Sequence, residues 1–200
     1  NEQMTEKVAA IEEILKAYMP KEEGPQKLIM EAMNYSVTVG GKRLRPMLMQ
    51  ETYRLFGGEG DAVEPFMAAQ EMIHTYSLVH DDLPAMDNDE YRRGKKTTWV
   101  AYGEDMAILA GDGLLNYAFE TASEAFDEDD FNPAHLRAYK ILAQKAGAYG
   151  MIGGQVVDIE TEDMPAKQVD IARLTYIHQL KTAALLESSL MIGAILGGAN

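Results

Sequence analysis

The chain has 200 residues, 46% of them hydrophobic, and a formal net charge of −14. That length and apolar share allow one sizeable core in one domain over residues 1–200, while the charge repels nucleic acid and anionic membrane surfaces and excludes both as main partners. Cysteine is absent, which excludes disulfides and thiolate metal sites and fits a reducing cytoplasm.

Apolar spacing is helical throughout, and no run of alternating residues predicts a strand. Val8, Ile11, Ile14, Leu15 and Tyr18 follow a 3–4 pattern before Pro20 and predict a first helix. A second runs from about Glu22 to Val39 and stops at Gly40-Gly41; a third, Arg43 to Phe56, stops at Gly57-Gly58. A long fourth helix from about Ala62 to Leu83 carries Met67, Met72, Ile73, Tyr76 and Val79. Further helices are expected at Glu104 to Phe126, Pro133 to Ala148 and Pro165 to Leu196, with Asp127 to Asp130 as a solvated connection. The most apolar stretch, Ala183 to Ala199, is interrupted by Glu187, Ser188 and Ser189, so it reads as a buried helix and not a membrane anchor. No signal peptide is expected at the N-terminus.

The chemistry concentrates at the end of the fourth helix. His80-Asp81-Asp82-Leu83-Pro84-Ala85-Met86-Asp87-Asn88-Asp89-Glu90 is followed at once by Tyr91-Arg92-Arg93-Gly94-Lys95-Lys96. Carboxylates this close raise one another's pKa unless a hard cation lies between them, and Mg²⁺ prefers oxygen ligands shared with phosphates. Arginines a few residues on can grip those phosphates through forked hydrogen bonds. Of 18 Lys and Arg, seven fall in Lys42-Arg43-Arg45 and Arg92-Arg93-Lys95-Lys96, so positive charge is concentrated against an acidic background. The ligand this pairing fits is a diphosphate. His74, Ser77 and Asp81 share one helix face leading to the carboxylates. Pro84 disturbs the turn that would bond His80, and on an ideal helix Asp81 and Asp87 would lie about 120° apart. A break after Leu83 lets Asp87 fold back toward Asp81.

Each element has a plainer reading. An acidic helix end is ordinarily solvated, a Gly-Gly-Lys-Arg turn alone is a helix junction, and a histidine on a helix face is ordinarily a packing residue, the reading kept for His80. Lys181 in an apolar helix points to function, because a buried unpaired ammonium is costly. Asp112 can orient Arg92 or Arg93.

Gly40-Gly41-Lys42-Arg43-Leu44-Arg45-Pro46, the Asp81-to-Asp87 motif, Arg92-Arg93-Gly94, Leu109-Ala110-Gly111-Asp112, Gly153-Gly154-Gln155 with Asp158, and Lys181-Thr182 resemble, in order, the signature of the trans-isoprenyl diphosphate synthases, above all their bacterial farnesyl diphosphate synthase branch. The resemblance implies an all-α helical bundle around a deep central cavity, a homodimer and Mg²⁺. It implies that Asp81, Asp82 and Asp87 hold Mg²⁺ against an allylic diphosphate, dimethylallyl or geranyl, which Arg92 also grips. Lys42, Arg45, His74 and Arg93 would hold isopentenyl diphosphate. Lys181 would reach the allylic diphosphate, while the Thr182 backbone and Gln155 would turn oxygen dipoles toward developing positive charge. Tyr76, five residues before the first Asp, would close the cavity floor and favour a fifteen-carbon product over a twenty-carbon one, since five helical residues span about 7.5 Å. The family's second Asp-rich motif has no counterpart between Lys181 and Asn200, so the chain is expected to represent part of a synthase or a noncatalytic prenyltransferase subunit. Two further classes remain open: a metal-dependent phosphohydrolase using His80-Asp81 with His74 or His135, and a terpene cyclase, which needs neither Lys42 nor Arg45.

Overall fold

The computed structural model describes residues 2–200. The described residues are all-α apart from one minimal hairpin, and they divide into two compact units, one running up to Met47 and resuming over Glu64–Ala125, the other formed by Leu48–Val63 and Phe126–Asn200.

In the first unit, α1 (Glu2–Tyr18), α2 (Lys27–Thr38) and the start of α3 (Leu44–Leu55) precede α4 (Glu64–Asp81), α5 (Thr98–Tyr102) and α6 (Glu104–Ser123). The core is the α4–α6 pair. Phe66, Met67, Met72 and Ile73 of α4 are fully buried, and so are Ala107, Ala110, Leu114 and Ala118 of α6. The alanines fall at helical spacing on one face, so the α6 backbone comes close and the bulk is supplied by α4. Each large α4 side chain buried contributes roughly 1.5–3 kcal/mol.

The helix starts and stops differ from expectation for local reasons. Gly24, at φ +80°, and Pro25 make a turn that delays α2 to Lys27. The α4 helix ends at Asp81, before Pro84. Beyond it lies a hairpin that apolar periodicity did not predict: β1 (Tyr91–Arg92) pairs antiparallel with β2 (Lys95–Lys96). Its two-residue turn is Arg93-Gly94, at φ +52° and +76°, a left-handed pair suited to a tight turn.

In the second unit, α7 (Pro133–Ala146), α8 (Met151–Glu162), α9 (Ile171–Ile177), a π-helical turn at His178–Ala183 and α10 (Ala184–Gly197) follow the later part of α3. Asn132 caps α7 by accepting from Ala134 N at 2.9 Å, with Pro133 in the first helical turn. The α10 helix packs on α7, with Lys145 and Glu187 paired at 2.6 Å, and on α3, where a Cβ on Gly193 would overlap the Met49 carbonyl. The expected Pro165 start is a 3₁₀ turn at Ala166–Gln168. The true helix begins after Asp170, whose carboxylate accepts from Arg173 N at 2.7 Å. Taken whole, Ile171–Gly197 is long and apolar enough to cross a membrane, a property it shares with core helices of soluble proteins; Leu185, Ser188, Ser189 and Ile192 on it are buried.

Candidate functional site

The turn after α4 brings the acidic motif together through its backbone. Asp87 N donates to Asp81 O at 2.8 Å, Asn88 N to Leu83 O at 3.0 Å and Asp89 N to Asp82 O at 3.1 Å. Asn88, at φ +55°, supplies the left-handed residue this coil needs. Thr97 Oγ1 and Trp99 Nε1 donate to Asp89 O at 2.7 and 2.9 Å and fix the coil to the hairpin and α5. The fold-back of Asp87 onto Asp81 expected from Pro84 is therefore present in the backbone.

Asp82 requires a correction. The residue is 3% exposed, and its carboxylate accepts a fork from Arg92, with Nε at 3.2 and 3.0 Å from its two oxygens and Nη2 at 2.7 Å. Burial pushes the Asp82 carboxyl above the ordinary carboxylate range against the pull of Arg92, and the same bond raises the Arg92 guanidinium. The forked geometry makes the two an ion pair. Asp82 is here the partner of Arg92 and not an open metal ligand. Among the described residues no group of three His, Asp or Glu side chains forms a metal cluster. Mg²⁺ is commonly held by one or two carboxylates plus substrate phosphates, so the oxygen donors of Asp81 and Asp87, joined by the backbone turn, fit it.

The basic residues divide by partner. Arg43, 3% exposed, donates from Nε to Glu12 at 2.6 Å, from Nη1 to Glu71 at 2.9 Å and from Nη2 to Val37 O at 2.6 Å. Burial alone would lower its pKa, but the two carboxylates carry it upward. Arg45 makes no ion pair among the described residues, and Glu71 acts on it only through space. Its Nη1 lies 3.4 Å from His74 Nε2 and its buried Nε has no hydrogen-bond partner; burial lowers its pKa. A guanidinium can only donate, so His74 Nε2 must be the unprotonated nitrogen. Burial first, then Arg45, Arg93, Arg92 and Arg43, hold that imidazole down at about 3. Arg93 Nη1 donates to Gly40 O, and Gly41 lies against the same guanidinium. Lys42 is exposed on the loop between them. Gly40, His74, Asp82, Arg92, Arg93 and Lys96 line one cleft together with Arg43 and Glu71, and Arg45 contacts the His74 of that lining.

Tyr76 is 7% exposed, with its ring edge-on to His80 at 5.7 Å between centroids. His80 Nε2 lies 3.0 Å from Ile108 O and 3.8 Å from Asp112. Asp112 thus faces His80, correcting its expected role beside Arg92 or Arg93. Gly111 has no Cβ because one would overlap the His80 ring. His80 is a packing residue with a specific seat.

In the second unit, Lys181 and Thr182 lie in the π-helical turn, a distortion often found at functional sites. Lys181 Nζ is bonded to Asp158, which corrects the expectation of an unpaired ammonium. Gly153-Gly154 lets α8 meet this turn: a Cβ on Gly154 would overlap the Lys181 backbone nitrogen. Gln155 follows on α8, half-buried, and Thr182 is exposed. Sequence reasoning missed Glu12, Glu71 and Asp158 as partners of the cations. A glutamate inside the otherwise apolar run of α4 was the signal available for Glu71.

Residues 26–200 match the polyprenyl synthetase family. The chain is 47% identical to a farnesyl diphosphate synthase of Geobacillus stearothermophilus over 98% of its length and 65% of that protein. It is 50% identical to a heterodimeric geranylgeranyl pyrophosphate synthase large subunit of Arabidopsis thaliana over 86% of its length and 47% of that protein. The chain therefore spans about half to two thirds of the curated relatives it matches. Its fold is similar to a crystal structure of an FPP/GFPP synthase from Zymomonas mobilis, at a TM-score of 0.90 and 38% identity over 99% of this chain and 70% of that one, which places it in the all-α isoprenoid synthase fold.

Proposed function

We propose, for a chain that belongs to the polyprenyl synthetase family, a prenyltransferase function: condensation of isopentenyl diphosphate with an allylic diphosphate, head to tail, with release of diphosphate. The observation that carries this reading is Arg45, a half-buried cation that makes no ion pair among the described residues and whose buried Nε is unbonded, next to a neutral His74. A guanidinium in that state is matched by an anion supplied from outside.

Lys42, Arg45, Arg93 and the neutral His74 bind the diphosphate of isopentenyl diphosphate. Asp81 and Asp87 would hold Mg²⁺ on the allylic diphosphate. When bound, the metal supplies charge neutralisation for the leaving diphosphate. Arg92, oriented by Asp82, donates its remaining N–H groups to that diphosphate. Lys181, Thr182 and Gln155 of the second unit keep the roles the resemblance implies, Lys181 toward diphosphate and the Thr182 backbone and Gln155 as oxygen dipoles toward positive charge. The allylic C–O bond breaks, the double bond of isopentenyl diphosphate attacks the resulting cation, and the proton then lost passes to the departed diphosphate. Exclusion of water keeps the cation from being captured as an alcohol. The same reading expects a homodimer in the cytoplasm.

A fifteen-carbon product is favoured by the buried Tyr76 ring, which His80 backs. A twenty-carbon product is the second reading, supported by relatives named as geranylgeranyl diphosphate synthases. The test is a product assay with isopentenyl and geranyl diphosphates, with and without Mg²⁺, beside Asp81→Ala. A Mg²⁺-dependent fifteen-carbon product lost in the variant is expected. A twenty-carbon product transfers the reading to the geranylgeranyl class, and release of phosphate without carbon–carbon bond formation overturns it.

A further inference from the structure

Arg43 lies in the middle of the basic run Lys42-Arg43-Leu44-Arg45 and by sequence is as good an anion ligand as its neighbours. Its guanidinium is turned to other use. All three of its nitrogens are bonded inside the first unit, to Glu12 on α1, Glu71 on α4 and the Val37 carbonyl at the end of α2. Its own carbonyl accepts from Met47 N at 3.1 Å and opens α3. The side chain therefore satisfies a carbonyl at the C-terminal end of one helix while the backbone starts the next. The residue does this at φ +49°, a left-handed conformation uncommon outside glycine, kept only where surrounding contacts over-determine it. Between these anchors lie Thr38, Val39, Gly40, Gly41 and Lys42, and Arg93 holds the Gly40 carbonyl from the other side.

We infer that Arg43 is a positioning residue, and that its pairing with Glu12 ties helix α1 to the geometry of the diphosphate site. The inference rests on the proposed diphosphate-binding role of Lys42 and Arg45. Glu12 and Glu71 fix the guanidinium, the guanidinium fixes the 40–45 loop, and the loop sets where Lys42 stands relative to Arg45. Glu12 makes no contact with the anion in this scheme. Its side chain is 28% exposed at the outer end of the ion pair.

The sign of a charge change separates this from ordinary electrostatics. Glu12→Gln removes a negative charge near an anion site, and through space that can only strengthen diphosphate binding. Loss of positioning weakens it instead. The experiment is calorimetric titration of the chain with inorganic diphosphate, for the unsubstituted protein, Glu12→Gln, Arg43→Lys and Arg45→Gln, together with hydrogen exchange of the 40–45 amides without ligand. The expected result is about 5- to 10-fold weaker binding in Glu12→Gln, faster exchange confined to the 40–45 loop, and at least as large a loss in Arg43→Lys although the charge is kept. Tighter or unchanged binding in Glu12→Gln, or full binding in Arg43→Lys, overturns the inference while a loss in Arg45→Gln leaves the site itself standing. Absence of diphosphate binding by the unsubstituted chain overturns both. Glu12→Gln is nearly isosteric and part-exposed, so folding is retained even where Arg43→Lys does not fold.

Discussion

Replacing His74 by glutamine should change the acid response of the protein by a calculable amount. The imidazole titrates near 3 in the folded chain and near 6.5 when unfolded, so between those values the unfolded chain binds more protons. Lowering the pH through that window favours unfolding. His74 thus contributes stability that is fully present above pH 6.5 and is lost progressively down to pH 3. One pKa unit corresponds to about 1.4 kcal/mol, so the loss from pH 7 to pH 4 is about 3 kcal/mol at full shift, and about 1 kcal/mol if the charged ring swings partly into water. Glutamine keeps an oxygen acceptor for Arg45 and does not titrate. The stability difference between parent and His74→Gln, from urea unfolding at pH 7 and pH 4, should therefore move against the parent by about 1–3 kcal/mol on acidification. Other titrating groups are common to both chains and cancel. Bound diphosphate brings negative charge to the ring, and the His74 pKa followed by NMR should rise toward neutrality. A constant difference between the two pH values, or a His74 pKa near 6.5 in the free chain, refutes the argument.

Arg92→Leu leaves the buried Asp82 carboxylate without its partner. Since Arg92 is part-exposed, a loss of about 2 kcal/mol in urea unfolding at pH 7 is expected, shrinking at pH 5 as Asp82 takes a proton. Gly111→Ala should destabilise by about 1–3 kcal/mol through the clash with His80; in a His80→Ala background the clash is gone and the same change should raise the melting temperature, because alanine is the better helix former by about 1 kcal/mol. Tyr76→Ala removes the ring that His80 supports, and product chromatography should show chains of twenty carbons or more; an unaltered fifteen-carbon product would remove Tyr76 from chain-length control.

Much of the site could be read from the sequence because its signals are local. The 3–4 spacing gave the long helices, Pro84 located the end of α4, and the fold-back of Asp87 followed from helical geometry. What was not legible depends on distant partners. Helix α8 was missed because Gly153-Gly154 has poor helical propensity, yet that pair is what allows the helix to meet the Lys181 backbone. Arg93-Gly94 was read as part of an anion grip, while its left-handed backbone also turns a hairpin. Lys181 was expected to be unpaired because Asp158 lies 23 positions away in sequence. For Asp82 the sequence placed three carboxylates together, and only burial shows that one of them faces Arg92.

The arginines show why composition alone misjudges such a site. Arg43 and Arg92 are matched by carboxylates, Glu12 and Glu71 for one and Asp82 for the other. Among the described residues the hydrogen-bond contacts of Arg45 and Arg93 are to neutral groups, the His74 ring and the Gly40 carbonyl, and Glu71 acts on Arg45 through space. Protonating His74 would place another positive charge beside Arg45, and the arginines surrounding it oppose this. This region therefore keeps an excess of positive charge in a protein whose net charge is −14. Burial disfavours the charge on Arg45 and lowers its pKa, and in the proposed function a bound diphosphate offsets that cost. At one hundred times its dissociation constant the anion would add about 2.7 kcal/mol to stability, a gain that Arg45→Gln should reduce and that a neutral prenyl alcohol should not reproduce.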